Sequence, residues 1–318
     1  MNAARSRRLL VLAAIAVLLT LAGVGRGQVA HAGTGTTGAL RICSSCASTA
    51  GDLTRYRYAI LNSWDAPMIP LLKAKDPSLK VLVYKNLSFT TTYSCSNGVD
   101  LLNIPNGVGY CDANANHPDW FLKDASGNRV ASAFFPHAYL MDVGNLAYQD
   151  KWLSNVRTDL QRGGWDGVFM DDTDADVDWH LNGRTLAKYP THAGWRAATR
   201  SMLSRLGPAF VTDGSLAIPN FYMPWTNDYD ALATWRDWLQ FVSGGMQEYY
   251  TKWGTTSSSW FATSDWSFRQ GFQAATETAD KIFIGLTYGP KADARSMRYA
   301  RANFLLFDDP ANGGALMY

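Results

Sequence analysis

The sequence predicts an α/β fold, a (β/α)8 TIM barrel in a single domain, and three observations carry that prediction. Short apolar runs alternate with amphipathic stretches from residue 39 to residue 318, the order that produces parallel strand pairing. Eight such runs can be counted, enough to close a barrel. Two acids, Asp171 and Asp172, stand where the apolar run Val168, Phe169, Met170 ends. In a barrel of this kind the C-terminal strand ends converge on one mouth and carry the chemistry.

The first 32 residues are expected to lie outside the fold as a signal peptide. Arg5, Arg7 and Arg8 make a positive start, Leu9 to Val24 is apolar, and Ala30-His31-Ala32 suits cleavage before Gly33. Ser6-Arg7-Arg8-Leu9 loosely resembles a twin-arginine signal, but the very apolar centre favours ordinary secretion over that route. The shortness of the apolar run and the cleavage signal after it favour secretion over an uncleaved membrane anchor. Gly33 to Gly38 reads as a flexible Gly/Thr leader. The chain is thus expected to be extracellular, with the barrel over 39–318.

Leu40 to Ile42 is a weak first strand and Tyr58 to Leu61 the second. Asp65 can cap a helix running through Pro67, Leu71 and Leu72. Lys80 to Tyr84 is the third strand, an unbroken apolar run suited to burial on both faces. A stretch from about Ser88 to Leu140 is too long for a plain connection and reads as functional. Asn145 begins a helix with Trp152, Val156 and Leu160 at helical spacing, ending near Gly163. The fourth strand follows. Thr191 can cap the next helix, which sets Trp195, Ala198, Met202 and Leu206 on one face. Leu216 to Asn220 is the fifth strand despite Pro219. Leu239 to Val242 leads into the sixth, Ser264 can cap the helix of Phe268, Phe272 and Ala275, and Lys281 to Leu286 is the seventh. Pro290 opens a last helix with Met297, Ala300 and Phe304, and Ala315 to Tyr318 is an eighth strand that stops at the chain end, as a chain truncated at its C-terminus would.

Removing the four arginines of the first 32 residues from 29 basic side chains leaves 25 against 27 acidic ones. No basic stripe remains, which argues against nucleic acid as a partner. A monomer with no stable membrane anchor is expected. Export makes disulfides plausible. Cys95 and Cys111 bracket a loop rich in Asn and Gly and are expected to be bonded. Cys43 and Cys46 have redox-motif spacing without a thioredoxin-like context, so a local disulfide or two thiols both stay open.

Glycoside chemistry needs two carboxyls, one to protonate the leaving oxygen and one to act as nucleophile or base. Asp171 is the first candidate. Glu248, at the polar end of Leu239-Gln-Phe-Val-Ser-Gly-Gly-Met-Gln-Glu, is the second. Asp172 rivals Asp171, but adjacent strand residues point oppositely, so only one of them should face the mouth. Lys85 and Asp142, at or near strand ends, could bind sugar hydroxyls or position Asp171, the bland alternative being a structural ion pair. Asn220, Tyr222, Trp225 and Tyr288 are further substrate-binding candidates. Trp253, Trp260 and Trp266 lie in or beside loops that follow strands, where rings can stack on sugars, although Trp is also ordinary core material.

Asp166-Gly-Val-Phe-Met-Asp171 after a helix resembles the fourth-strand signature of barrel glycosidases. With Leu140-Met-Asp-Val-Gly-Asn145, Lys80 to Lys85 and the strand ending at Asn220, it is similar to the glycoside-hydrolase-like family 15. A more distant similarity is to the endo-α-1,4-polygalactosaminidase family. The resemblance covers about residues 39–318. It implies a TIM-barrel glycosidase acting on a polysaccharide or oligosaccharide, with the fourth-strand acid, Asp171, as nucleophile and the sixth-strand acid, Glu248, as proton donor. No cofactor is expected. A non-catalytic carbohydrate-binding barrel is the alternative.

Asp172, Asp174, Asp176 and Asp178 alternate as in a calcium loop. Val177 and Gly183 stand where an EF-hand needs its glycine and glutamate, so a solvated acidic loop over the site is the expected reading and no metal is assigned. A looser calcium site, or a barrel hydrolase using a metal at this loop, stays open. No His/Cys set has zinc spacing.

Overall fold

The computed structural model describes residues 38–43, 53, 56–224, 230–290 and 292–318, with only the backbone of 38–41 and 43. The expected signal peptide and leader (save Gly38), the side chains of Cys43 and Cys46, and Trp225 lie outside the described residues.

Eight parallel strands close into a barrel. They are β1 (Gly38–Cys43), β2 (Tyr58–Leu61), β3 (Lys80–Asn86), β4 (Gly167–Asp174), β5 (Leu216–Tyr222), β6 (Gly244–Glu248), β7 (Ile282–Leu286) and β8 (Ala315–Met317). Each pairs with its sequence neighbours, and β1 closes the ring on β8. The outer helices are α1 (Ile69–Lys75), α2 (Leu146–Gly163), α3 (His192–Thr212), α4 (Ala231–Leu239), α5 (Thr263–Thr278) and α6 (Ala294–Leu305).

Alternation along the strands sorts the core into two layers. Leu82, Phe169, Ile218, Met246 and Ile284 fill the barrel interior. Val81, Val83, Val168, Met170, Ala217 and Phe283 face outward and pack with helix residues such as Trp152, Trp195 and Trp235. Burying one such side chain contributes roughly 1.5–3 kcal/mol. The strands approach closely where β4 begins: a Cβ on Gly167 would lie 2.2 Å from the Leu216 carbonyl oxygen, so glycine is required there. Asp166, just before it, accepts from Lys73 Nζ at 2.6 Å and from the Val81 amide at 2.7 Å. It ties α1 and β3 to the base of β4.

Two helix starts follow the sequence. Asn145 Oδ1 accepts from the Ala147 and Tyr148 amides, and Thr191 Oγ1 from Gly194. Three differ. Asp65 is buried in a 3₁₀ segment (Ser63–Met68) and caps nothing, because Pro70 rather than Pro67 occupies the first turn of α1. Ala262 precedes α5, leaving Ser264 inside it. Asp293, whose side chain accepts from Ser296, caps α6 in place of a start at Pro290. Leu239 ends α4 instead of leading a strand, since Ala231, Trp235, Trp238 and Leu239 share its buried face.

The long stretch after β3 has its own structure. Phe89–Thr91 pairs antiparallel with Ala138–Leu140. A second hairpin, Cys95–Ser96 with Val99–Asp100, turns at Asn97 and Gly98, both at positive φ. Cys95 and Cys111 are bonded, with Cα atoms 5.3 Å apart. In the chain-entropy model closure of such a loop contributes about 3 kcal/mol. The Asp100 carboxylate accepts from the Cys111 and Asp112 amides at the start of the helix Tyr110–Asn116.

At the other end of the barrel, the Glu277 carboxylate accepts from the Asp309 amide and from Asn312 Nδ2, and burial pushes its pKa up to about 7. The native state therefore holds a proton that the unfolded chain releases. We predict that stability falls as pH rises from about 4.5 to about 7 and levels off above that range. Urea unfolding across this window should show the slope in the wild type and a weaker one in Glu277→Gln. An unchanged slope in the variant would remove Glu277 as its source.

Candidate active site

The site is the next inward layer above the apolar plug. Counting two residues on from Leu82, Phe169, Ile218 and Met246 gives Tyr84, Asp171, Asn220 and Glu248. The register pairs Asn86 with Asp171 and Asn220 with Met246. Tyr288, just past β7, joins them. A cavity of about 870 Å³ opens above, and all five residues line it.

Asn220 is the hinge of this arrangement. Its Nδ2 donates to Asp171 Oδ1 at 2.9 Å and to Glu248 Oε2 at 2.8 Å. Two oxygens on one nitrogen cannot be farther apart than the two bonds laid end to end, so Asp171 Oδ1 and Glu248 Oε2 lie within about 6 Å of each other. Tyr84 donates its hydroxyl to Asp171 Oδ2 at 2.6 Å, and Tyr288 donates to Glu248 Oε1 at 2.7 Å. Burial raises the Glu248 pKa above its ordinary value. The Asp171 charge adds to that rise, while the bonds from Tyr288 and Asn220 oppose it.

Asp172 does not follow the expected alternation. The β4–β5 register slips between Met170 and Thr173, a bulge, and Asp172 has φ 49°, in the left-handed region. The slip coincides with Pro219, which has no N–H to give the ladder. Asp171 and Asp172 therefore both line the cavity. Asp172 Oδ2 accepts from Asn86 Nδ2 at 2.5 Å.

Beyond the bulge, Asp174 and His180 are fully buried and also face the cavity. His180 Nε2 lies 3.4 Å from Asp174 Oδ2, and neither of these two atoms has a hydrogen-bond partner of good geometry, although the Trp179 side chain also acts on the Asp174 carboxyl. His180 Nδ1 is held by Ser132 Oγ at 2.8 Å. Burial, then the Asp171 charge, pushes the Asp172 and Asp174 carboxyls well up, and burial pushes His180 down to about 4.

Of the residues singled out in the sequence, the structure brings together Asp171, Asp172, Asn220, Tyr222, Glu248 and Tyr288. It does not bring Lys85 or Asp142 to the cavity. Lys85 faces outward by strand alternation, is buried, and bonds Asp159 at 2.5 Å and the Ile104 carbonyl at 2.7 Å. Asp142 is buried, paired with Lys188 and accepting from Tyr189 at 2.6 Å. Both are structural ion pairs. Trp253, Trp260 and Trp266 are absent from the cavity wall. Trp179 lines it instead, its ring 3.6 Å from His180, with Phe134 and Phe135 at the rim. Tyr84 was open to sequence reasoning, since it lies two positions along the strand from Leu82. His180 and Trp179 had no such signal.

The model of hypothetical glycosyl hydrolase family 15 matches residues 73–314. No curated protein matches the sequence. Among solved structures, the glycoside hydrolase domain of PelA from Pseudomonas aeruginosa is similar in fold at 11% identity, with a TM-score of 0.56, over 88% of this chain and 94% of that one. A glutamate-to-alanine variant of that domain gives 0.55 at the same identity and coverage. Group II chitinase catalytic domain 2 from Ostrinia furnacalis is more remote, at 0.45 and 11% identity over 79% of this chain and 63% of that one.

The hydrogen bonds at Glu248 make a prediction independent of any reaction. Asn220→Ala and Tyr288→Phe each remove a donor that favours the anion, so each should move the Glu248 pKa further up. Carboxyl-carbon NMR titration measures it. A downward move in both variants would mean that these bonds do not stabilise the charged form.

Proposed function

We propose that this chain, which belongs to hypothetical glycosyl hydrolase family 15, is an exported glycosidase that cleaves a polysaccharide or oligosaccharide with retention of configuration. The observation that carries the reading is the sharing of one Asn220 amide by two carboxylates. A pair this close suits attack by one acid on the anomeric carbon, whereas inversion needs room for a water between them.

Asp171 is the nucleophile in this reading. Tyr84 and Asn220 aim donors at its two oxygens and fix its direction of attack. Glu248 is the acid. Its raised pKa keeps a proton available for the leaving oxygen. Once the glycosyl-enzyme forms, the same group takes a proton from the incoming water. Tyr222, Tyr249, Trp179 and the rim phenylalanines offer ring faces for sugars around the acids. Export is supported by the composition of the first 32 residues and by the Cys95–Cys111 bridge. The paired acids favour catalysis over a carbohydrate-binding role, which needs only the rings.

The test is the anomer released first, read by proton NMR during cleavage of a polysaccharide found by panel screening. Retention is expected, and inversion would overturn the nucleophile assignment. Glu248→Gln should slow poor leaving groups by about 10²–10⁴-fold and activated leaving groups far less. An equal loss on both would argue against the acid role.

A further inference from the structure

We propose that Asp172, Asp174 and His180 form a binding site for a first-row divalent cation such as Zn²⁺. One ligand atom from each of the three lies within 4.8 Å of the others. An acidic cluster alone would not make a site, but two atoms in this one are orphaned. Asp174 Oδ2 and His180 Nε2 are buried, face each other at 3.4 Å, and have no hydrogen-bond partner of good geometry. Leaving buried polar atoms unpaired is costly, and a cation between them would satisfy both. Their separation fits. Ligands about 2.1 Å from a tetrahedral Zn²⁺ stand about 3.4 Å apart.

The donor set also selects the ion. One imidazole with two carboxylates suits zinc and its first-row neighbours, while Ca²⁺ and Mg²⁺ take oxygen ligands. Ser132 Oγ on Nδ1 fixes the His180 ring, as outer partners of metal-bound histidines do. The bulge at Met170/Thr173 allows Asp172 to join. All three residues line the cavity, so a fourth position opens toward a bound hydroxyl or water. The cation would then sit beside Asp171 and hold the adjoining sugar ring.

The experiment is calorimetric titration of ZnCl₂ into the tag-free protein after chelator treatment and desalting. Glu248→Gln protein is titrated alongside, so the result does not depend on the glycosidase reading. One Zn²⁺ per chain is expected in both. Asp174→Asn and His180→Gln should each weaken binding by more than the roughly 10–100-fold that loss of an outer partner costs, and Ser132→Ala should fall within that range. Asp178→Asn, an exposed acid of the same loop that meets His192 at 2.8 Å, should bind as the wild type does. Co²⁺ provides a second readout, as an intense tetrahedral visible spectrum in the wild type, should a ligand variant fail to fold. The proposal is overturned by any of three results: no saturable Zn²⁺ binding with no such Co²⁺ spectrum, unchanged affinity in folded Asp174→Asn and His180→Gln, or tighter binding of Ca²⁺ than of Zn²⁺.

Discussion

The amide of Asn220 sets the geometry on which the rest of the site depends. A carboxamide has one nitrogen with two protons, and here each proton serves a different acid. This fixes the distance between Asp171 and Glu248 more tightly than two independent side chains could. It also explains the order of elements. Asn220 comes from β5, and the acids come from β4 and β6 on either side. A central strand reaches both neighbours, and alternation aims all three residues inward. The apolar plug of Phe169, Ile218 and Met246 fills the barrel beneath them.

Regular alternation would leave the mouth with one acid from β4. The bulge changes this by inserting a residue at Asp172, which turns the following carboxylates back toward the cavity. The left-handed backbone at Asp172 is uncommon for a residue other than glycine, although aspartate tolerates it better than most. Such conformations persist where the surroundings over-determine them. Here Ser88 Oγ bonds the Asp172 carbonyl at 2.7 Å and Asn86 bonds its side chain.

The strands were legible because a doubly buried parallel strand writes itself as a continuous apolar run, as at β3 and β7; β6 (Gly244–Glu248) is the exception, since the apolar run before it ends α4. Helix starts were legible where a side chain caps, as at Asn145 and Thr191, and illegible where the backbone turns without one, as at Ala262. Asp171 and Glu248 could be read because each stands at the polar end of an apolar stretch, within β4 and at the end of β6. Lys85 and Asp142 misled because a charged residue at a strand end looks the same whether it faces the mouth or the outer layer. One count from Leu82 would have set Lys85 outside and Tyr84 inside. The bulge could not be read from β4 alone, since its partner is Pro219 on another strand. His180 and Trp179 reach the cavity from the short helix Asp178–Leu181, a segment with too few turns to show a period.

The cavity gathers Asp171, Asp172, Asp174 and Glu248, and no lysine or arginine is among its described lining residues. Four carboxylates this close, part-desolvated, cannot all carry charge without large mutual repulsion. The upward shifts of Asp172, Asp174 and Glu248 show the same conflict from the side of the proton. For Glu248 that outcome suits the proposed acid role, because an acid must hold its proton to give it away. Asp172 and Asp174 have no such use in a two-carboxylate mechanism. Their burial costs stability without serving attack or protonation. That asymmetry separates the cavity into two parts. One is the carboxyl pair held by Asn220, Tyr84 and Tyr288, the proposed reacting pair. The other is an adjoining acidic wall backed by His180, whose electrostatics call for a positive partner that no described lysine or arginine of the cavity lining supplies.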